Sequence, residues 1–403
     1  MDLSSLIFII TYILLAIGQP PIFRIDRTGA VLIGATAMLA LKVISIQEAY
    51  SAIDYKTIAT LFGLMVLVAH FRLSGALNLL VKYLISKVKN PSELLYFIIF
   101  SAGILSAFLM NDTICLLFTP LVLKITKISG LNPKPFLLAL CMSANIGSVA
   151  TITGNPQNLI IGISSGLTYS EFFYYLFPVA ILGLLTLITI LKIAYKKELS
   201  KPINNEVKLK FRYKKPIVIK FYIIALLCLI GFFIGLPIQG VAMITACLLL
   251  ITRRIKPEKV YNLIDFKLLV LFIGLFIIIK SFENSALFKH LSEISGTFLK
   301  NPLTFVSSVT ILSNAVSNVP AVLIFKPFIE TLSLGKEAWL YLAMSSTLAG
   351  NLTVLGSIAN IIVIESAYPK VKISFLEYLK LGLPVTTLTL LIGTLWLKIA
   401  LLW

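Results

Sequence analysis

The sequence predicts an all-α polytopic membrane protein built from two inverted repeats of five transmembrane helices, each repeat carrying a re-entrant helical hairpin and a broken helix. Three observations predict it. Hydrophobic residues make up 58% of the 403-residue chain against 13% charged residues, and the mean hydropathy is +0.98. At least ten apolar stretches alternate with short charged loops, and most approach the roughly 20 residues needed to cross a hydrocarbon core. Three motifs containing polar residues recur, in one order, in the two halves of the chain.

The first motif is IDYKTIATLFGLMVL (53–67), which matches IDFKLLVLFIGLFII (264–278) and places Asp54 over Asp265, Lys56 over Lys267 and Gly63 over Gly274. NDTICLLFTP (111–120) then matches NVPAVLIFKP (318–327), and TITGNPQNLIIG (151–162) matches TVLGSIANIIVI (353–364). Generic likeness between apolar helices would not align Asp, Asn, Gly and Pro, which are costly in lipid.

Read in order, the first repeat (1–200) has spans at 3–18, 28–44, 57–71, 136–164 and 172–194. The span at 3–18 lacks a basic leading region and a small-residue cleavage site, so it reads as a retained helix. Residues 74–89 are amphipathic, with Lys82, Lys87 and Lys89 on an apolar helix, which suits the membrane interface. The segment 93–129 is apolar but interrupted at Asn111-Asp112-Thr113, leaving two arms short for full spans, so a hairpin entering from one side is expected. A basic linker at 201–216 follows. The second repeat (217–403) has spans at 217–235, 238–252, 268–281, 338–366 and 376–402, an interfacial segment at 285–300, and a hairpin at 303–334 interrupted at Ser317-Asn318-Val319-Pro320.

An odd number of crossings per repeat inverts the second repeat relative to the first. The basic residues agree with that. With the linker on the cytoplasmic side of the cell membrane, 27 of the 35 Lys and Arg residues fall inside, among them Arg24, Arg27, Arg253 and Lys370. Both termini are then external, and the two hairpins open from opposite sides.

Composition also excludes functions. The net charge of +18 is distributed between apolar spans and forms no folded basic surface, which argues against nucleic acid as a partner. Cys115, Cys141, Cys228 and Cys247 all lie in apolar segments without CxxC spacing, so neither disulfides nor zinc are expected. His70 and His290 are far apart and form no HExxH or Ser-His arrangement, so the chain reads as no enzyme and needs no cofactor beyond a coupling Na⁺ or H⁺.

Chemistry is expected at the four breaks, because unpaired backbone groups at membrane depth survive only against protein or a water-filled cavity. Two are the hairpin tips. The others interrupt the long helices at Thr153-Gly154-Asn155-Pro156-Gln157-Asn158 and Leu355-Gly356-Ser357-Ile358-Ala359-Asn360. Pro156 removes a backbone donor, while Gly154 and Gly356 permit conformations that other residues resist. Freed carbonyls can hold a cation and freed N–H groups an anion or hydroxyl. The candidate binding residues are Asn111, Asp112, Thr113, Thr153, Gly154, Asn155, Asn158, Ser317, Asn318, Gly356, Ser357 and Asn360, and a coupling Na⁺ would draw on Asn111, Asp112 and Asn155. Asp112 is the sharpest of these. A carboxylate at a hairpin tip must pair with a cation, take up a proton, or cap local N–H groups. Val319 stands opposite it in the second half.

At these motifs the sequence resembles the ion transporter superfamily, most nearly its arsenite permease (ArsB/NhaD-like) branch of anion permeases. The NDT-containing hairpin, the TGNPQN break and the SNVPA hairpin carry the resemblance, which covers nearly the whole chain. It implies a scaffold domain, a moving transport domain holding both hairpins and both broken helices, homodimers formed through the scaffold, and elevator-type alternating access. The divalent anion/sodium symporters of the superfamily place Ser-Asn-Thr at each tip, and Met110-Asn111-Asp112-Thr113 and Ser317-Asn318-Val319-Pro320 depart from that. The expected function is secondary transport of a small inorganic oxyanion or its neutral acid, arsenite-like, coupled to H⁺ or Na⁺. Na⁺/H⁺ antiport and Na⁺-coupled dicarboxylate, tricarboxylate or sulfate transport are the alternatives.

Overall fold

A computed structural model describes residues 2–18, 24–79, 88–202 and 213–401, and all regular elements among them are helical. The first half contains α1 (Leu3–Ile17), α2 (Arg27–Ala40), α3 (Tyr55–Ser74), α4 (Pro91–Leu109), α5 (Asn111–Ile128), α6 (Lys134–Ser148), α7 (Pro156–Ser165) and α8 (Tyr169–Ala194). The second contains α9 (Lys215–Phe233), α10 (Ile238–Leu250), α11 (Phe266–Glu283), α12 (Ala286–Leu299), α13 (Pro302–Val316), α14 (Asn318–Thr331), α15 (Gly335–Leu348), α16 (Ile358–Ala367) and α17 (Phe375–Ala400). Lys82 and Lys87 of the first interfacial segment, and residues 203–212 of the linker, lie outside the described residues.

Local chemistry sets the helix starts. Asp54 caps α3 by accepting from the Lys56 and Thr57 N–H groups, and Asp265 caps α11 by accepting from Leu268 N–H. The longest helices, α8 and α17, have 26 residues each and open with the same reciprocal device, Thr168 with Glu171 and Ser374 with Glu377. At 1.5 Å per residue each is about 39 Å long, enough to cross a bilayer with tilt. By length and composition α3, α4, α8, α9 and α17 can each cross a membrane.

The halves exchange contacts. Gly63 on α3 lies against Ala242 of α10, where an added Cβ would meet backbone at 2.6 Å, and Gly274 on α11 lies against Val31 of α2. Gly63 and Gly274 are repeat partners, and the same offset of 211 residues carried upstream pairs Val31 with Ala242. At the helix entrances, Lys134 pairs with Glu377 (2.6 Å) and Lys336 with Glu171 (3.6 Å), again partner for partner. Reciprocal contacts of this kind are what a two-fold relation between repeats requires.

Both hairpins form, with two corrections. The first hairpin turns one residue earlier than the sequence reading places it, at Met110 (φ 63°), and the second turns at Ser317 (φ 80°), the first residue of its expected interruption, so Asn111-Asp112-Thr113 and Asn318-Val319-Pro320 form the first turns of α5 and α14. The reason is that polar side chains and Pro are accommodated in a first turn, where backbone N–H groups have no helical partner. The arms of the first hairpin are also longer than expected, at 19 and 18 residues, and of the two α4 alone has both the length and the composition of a span. Its tip nevertheless ends inside the protein: Leu109, Met110 and Asn111 are buried.

Candidate functional site

The long helices break earlier than the sequence reading places them, α6 giving way to α7 over 149–155 and α15 to α16 over 349–357 through two short 3₁₀ turns, so that Pro156–Asn158 and Ile358–Asn360 form the first turns of α7 and α16. One device closes both breaks. The Asn158 side chain donates to the Ser148 and Thr151 carbonyls (3.0 and 3.1 Å), ten and seven residues upstream. Asn360 donates to the Gly350 and Thr353 carbonyls at the same two offsets (2.6 and 3.0 Å). These amides satisfy carbonyls that the interrupted helices would leave unpaired. Asn155 caps α7 by accepting from Asn158 N–H (2.8 Å), and Ser357 caps α16 by accepting from Ala359 N–H (3.3 Å). Thr153 shares a 2.8 Å hydrogen bond with the Tyr169 hydroxyl.

Each hairpin tip meets the break of its own half. Asn111 N–H donates to the Gly154 carbonyl (3.1 Å), and the Asn318 amide, oriented to satisfy both carbonyls, donates to Gly356 (3.1 Å) and Ser346 (3.0 Å). Gly154 is required here: a Cβ would stand 2.2 Å from the Ser148 carbonyl oxygen.

The halves are joined across this centre by two residues the sequence reading did not single out. Asn145 on α6 reaches into the second break. It donates to Asn351 (2.9 Å) and Asn360 (3.0 Å), and accepts from Ser357 (3.0 Å) and Asn111 (2.9 Å). Its repeat partner, Thr347 on α15, reaches into the first break, donating to Asn158 (3.2 Å) and accepting from Asn155 (3.2 Å). Extending the third motif's alignment upstream would have paired Asn145 with Thr347 as polar residues within apolar helices.

Four helices, α5, α7, α14 and α16, therefore begin at this centre, and each N-terminus presents the positive end of its dipole. Asp112 is the acidic residue of the cluster. It lies half-buried in the first turn of α5, with Thr113 beside it, and is not the cap of its own helix, since Met110 holds that position without a side-chain bond. Its carboxyl interacts instead with the Ala359 N–H in the first turn of α16. The backbone of the tip lies beside the first break, while α5 packs along α16 of the second half. Among the described residues no Lys, Arg or His forms an ion pair with Asp112. The Asn111 Oδ1 is buried with no hydrogen-bond partner there. The predicted residues thus divide into a central group around Asn111, Asp112, Asn318, Gly356, Ser357 and Asn360, and a group that stitches the first break, Gly154, Asn155 and Asn158, with Ser317 forming the second turn.

Residues 12–349 match the profile of a family described as Citrate transporter. A protein of Dictyostelium discoideum named as transporter arsB is 28% identical, the match covering 97% of this chain and 91% of that protein. The silicon efflux transporter LSI3 of Oryza sativa is also 28% identical, over 97% and 96%. Among solved structures, the YdaH transporter of Alcanivorax borkumensis superposes with a TM-score of 0.65 over 99% of this chain and 98% of that one. At 14% identity that likeness is one of fold.

Proposed function

The chain belongs to the citrate transporter family, and from that premise we propose that this membrane transporter carries a small inorganic oxyanion or its neutral acid, arsenite-like, coupled to H⁺ or Na⁺. One observation carries the reading: four helix N-termini meet at a cluster of neutral amides and hydroxyls in which Asp112 is the ionisable side chain. Helix N-termini favour a negative solute, whereas the Asp112 carboxylate repels one. An anion can therefore occupy the site when Asp112 is protonated or has a cation beside it, and that condition links the two fluxes. The unpartnered Asn111 Oδ1 is an oxygen ligand for Na⁺ next to that carboxylate, while Asn155 is engaged in the first break.

The names of the relatives favour solutes of this kind, since silicon travels in neutral water as uncharged silicic acid, a small hydroxylated molecule. Citrate, the solute in the family's description, carries several carboxylates, and among the described residues no Lys or Arg belongs to the hydrogen-bonded cluster to receive them. Alternation follows an elevator motion of the hairpins and broken helices against α3, α11 and their neighbours, within a homodimer. The basic linker is cytoplasmic and both termini are external.

The test is flux into liposomes under imposed H⁺ or Na⁺ gradients, with arsenite, silicic acid, sulfate and citrate offered in turn. Gradient-driven movement of arsenite or silicic acid is the expected result. Transport of sulfate or citrate alone, or of Na⁺ against H⁺ with no other solute, would replace this reading with one of its alternatives.

A further inference from the structure

A cavity of about 920 Å³ opens where the ends of α3, α5 and α16 meet. Arg72, Lys124, Lys127 and Lys370 line it, and among the described residues no Asp or Glu does. None of the four forms an ion pair among the described residues. They come from three segments remote in sequence, so their meeting is a product of the fold. A tendency of basic residues to stay on one side of a membrane would scatter them over that surface, and gathering like charges without a counter-charge costs stability.

The walls of the cavity continue inward to the candidate site. Leu116, which lines it, lies one helical turn beyond Asp112 on α5, and Leu123 and Lys127, which also line it, lie further along the same face. On α16, Ser366 lines the cavity seven residues, or two turns, beyond Ala359, the residue whose N–H faces Asp112. The helix faces that frame Asp112 at depth are thus the faces that open into the basic cavity.

We propose that this cavity is the vestibule of the site for a soluble oxyanion, so that on this side of the membrane the solute is met as the charged species and not as its neutral acid. The assignment deepens the transport reading above and rests on it for the identity of the inner site. A converging positive field raises the local concentration of anions and does nothing for a neutral acid. An anionic lipid headgroup shares the oxyanion chemistry, and the test separates the two.

The experiment introduces Ser366→Cys with Cys247→Ala, the other three native cysteines being buried. In phosphatidylcholine vesicles the thiol is exposed to a sulfonate-bearing and a trimethylammonium-bearing methanethiosulfonate reagent of similar size. The anionic reagent should be favoured. Replacing Lys124, Lys127 and Lys370 together by Gln should lower the anion-to-cation rate ratio about tenfold at low ionic strength. Salt near 1 M, where the Debye length is about 3 Å, should lower it similarly. A ratio no higher than that at Cys247 in the parent protein, one unmoved by the triple substitution, or no reaction with either reagent overturns the proposal. Loss of the preference on adding phosphatidylglycerol would assign the cavity to a headgroup and overturn it as well. None of these readings requires transport, so absence of flux in the parent protein would count against the proposed function alone. Where flux is present, the triple variant should raise KM several-fold from the cavity side and leave it unchanged from the other.

Discussion

Asn158 and Asn360 tie their helices back to carbonyls ten and seven residues upstream, yet the loop around Asn158 is sealed in protein and the loop around Asn360 is open. Every residue from 149 to 162 is buried, Ile152 and Ile160 completely so. In the second break Leu355 is 58% exposed and Ile358 40%. Hydrogen-bond chemistry is conserved between the repeats, while packing is not. The first break is held by neighbours on all sides, and the second depends more on its own bonds and on Asn145. The tips differ in the same sense: Asp112 occupies one and Val319 the other. A carrier of two related halves can thus present one side's pocket without the other's, provided that packing and not the repeat plan sets access.

The largest effect that would sharpen this comparison is expected at the tips. Asp112→Asn keeps the shape and removes the charge, so gradient-driven flux should fall by more than tenfold while detergent-solubilised protein remains monodisperse. Val319→Asp in that background should not restore it, because the restored carboxylate stands on the other half. Flux at the parental rate, with unchanged dependence on H⁺ and Na⁺, would make the two tips equivalent and Asp112 a structural residue.

Next in size are the glycines of the breaks. A Cβ on Gly154 would meet the Ser148 backbone at 2.2 Å, whereas on Gly356 the nearest atom is the Asn314 side-chain oxygen at 2.8 Å. Backbone cannot yield as a side chain can. Gly154→Ala should therefore cost about 3 kcal/mol or more and Gly356→Ala about 1 kcal/mol, following overpacking costs elsewhere. Thermal unfolding in detergent measures both, and equal losses would contradict the contrast between sealed and open breaks.

Smaller changes are expected where the halves cross. Asn145→Ala leaves the Ser357 and Asn111 donors and the Asn351 and Asn360 acceptors without their partner, and should cost roughly 2–4 kcal/mol at about 1 kcal/mol per bond plus desolvation. Thr347→Ala removes one donated and two accepted bonds and should cost about half as much. A reversed order of melting temperatures would show that the sealed break leans on its cross-link more than the open one does. The smallest effect belongs to the entrance ion pairs. Lys134 stands 2.6 Å from Glu377 and Lys336 3.6 Å from Glu171, all four side chains being partly exposed. Lys134→Gln should lower stability by at most about 1 kcal/mol and Lys336→Gln by less, with both effects fading in salt.

The sequence by itself determined the all-α membrane fold and the vicinity of the four breaks. Those features are local: a run of apolar residues, or an Asn, Gly or Pro within it, is costly in lipid unless the structure accommodates it, and so is visible in a window of twenty residues. Tertiary structure decided what each break touches. The turn falls at Met110 because the following polar residues suit a helix start, Asn145 and Thr347 cross between halves 202 positions apart, and the Asp112 carboxyl reaches Ala359 of the opposite half. Arg72, Lys124, Lys127 and Lys370 converge for the same reason. Contacts at such separations arise from how helices pack, and no local periodicity carries them.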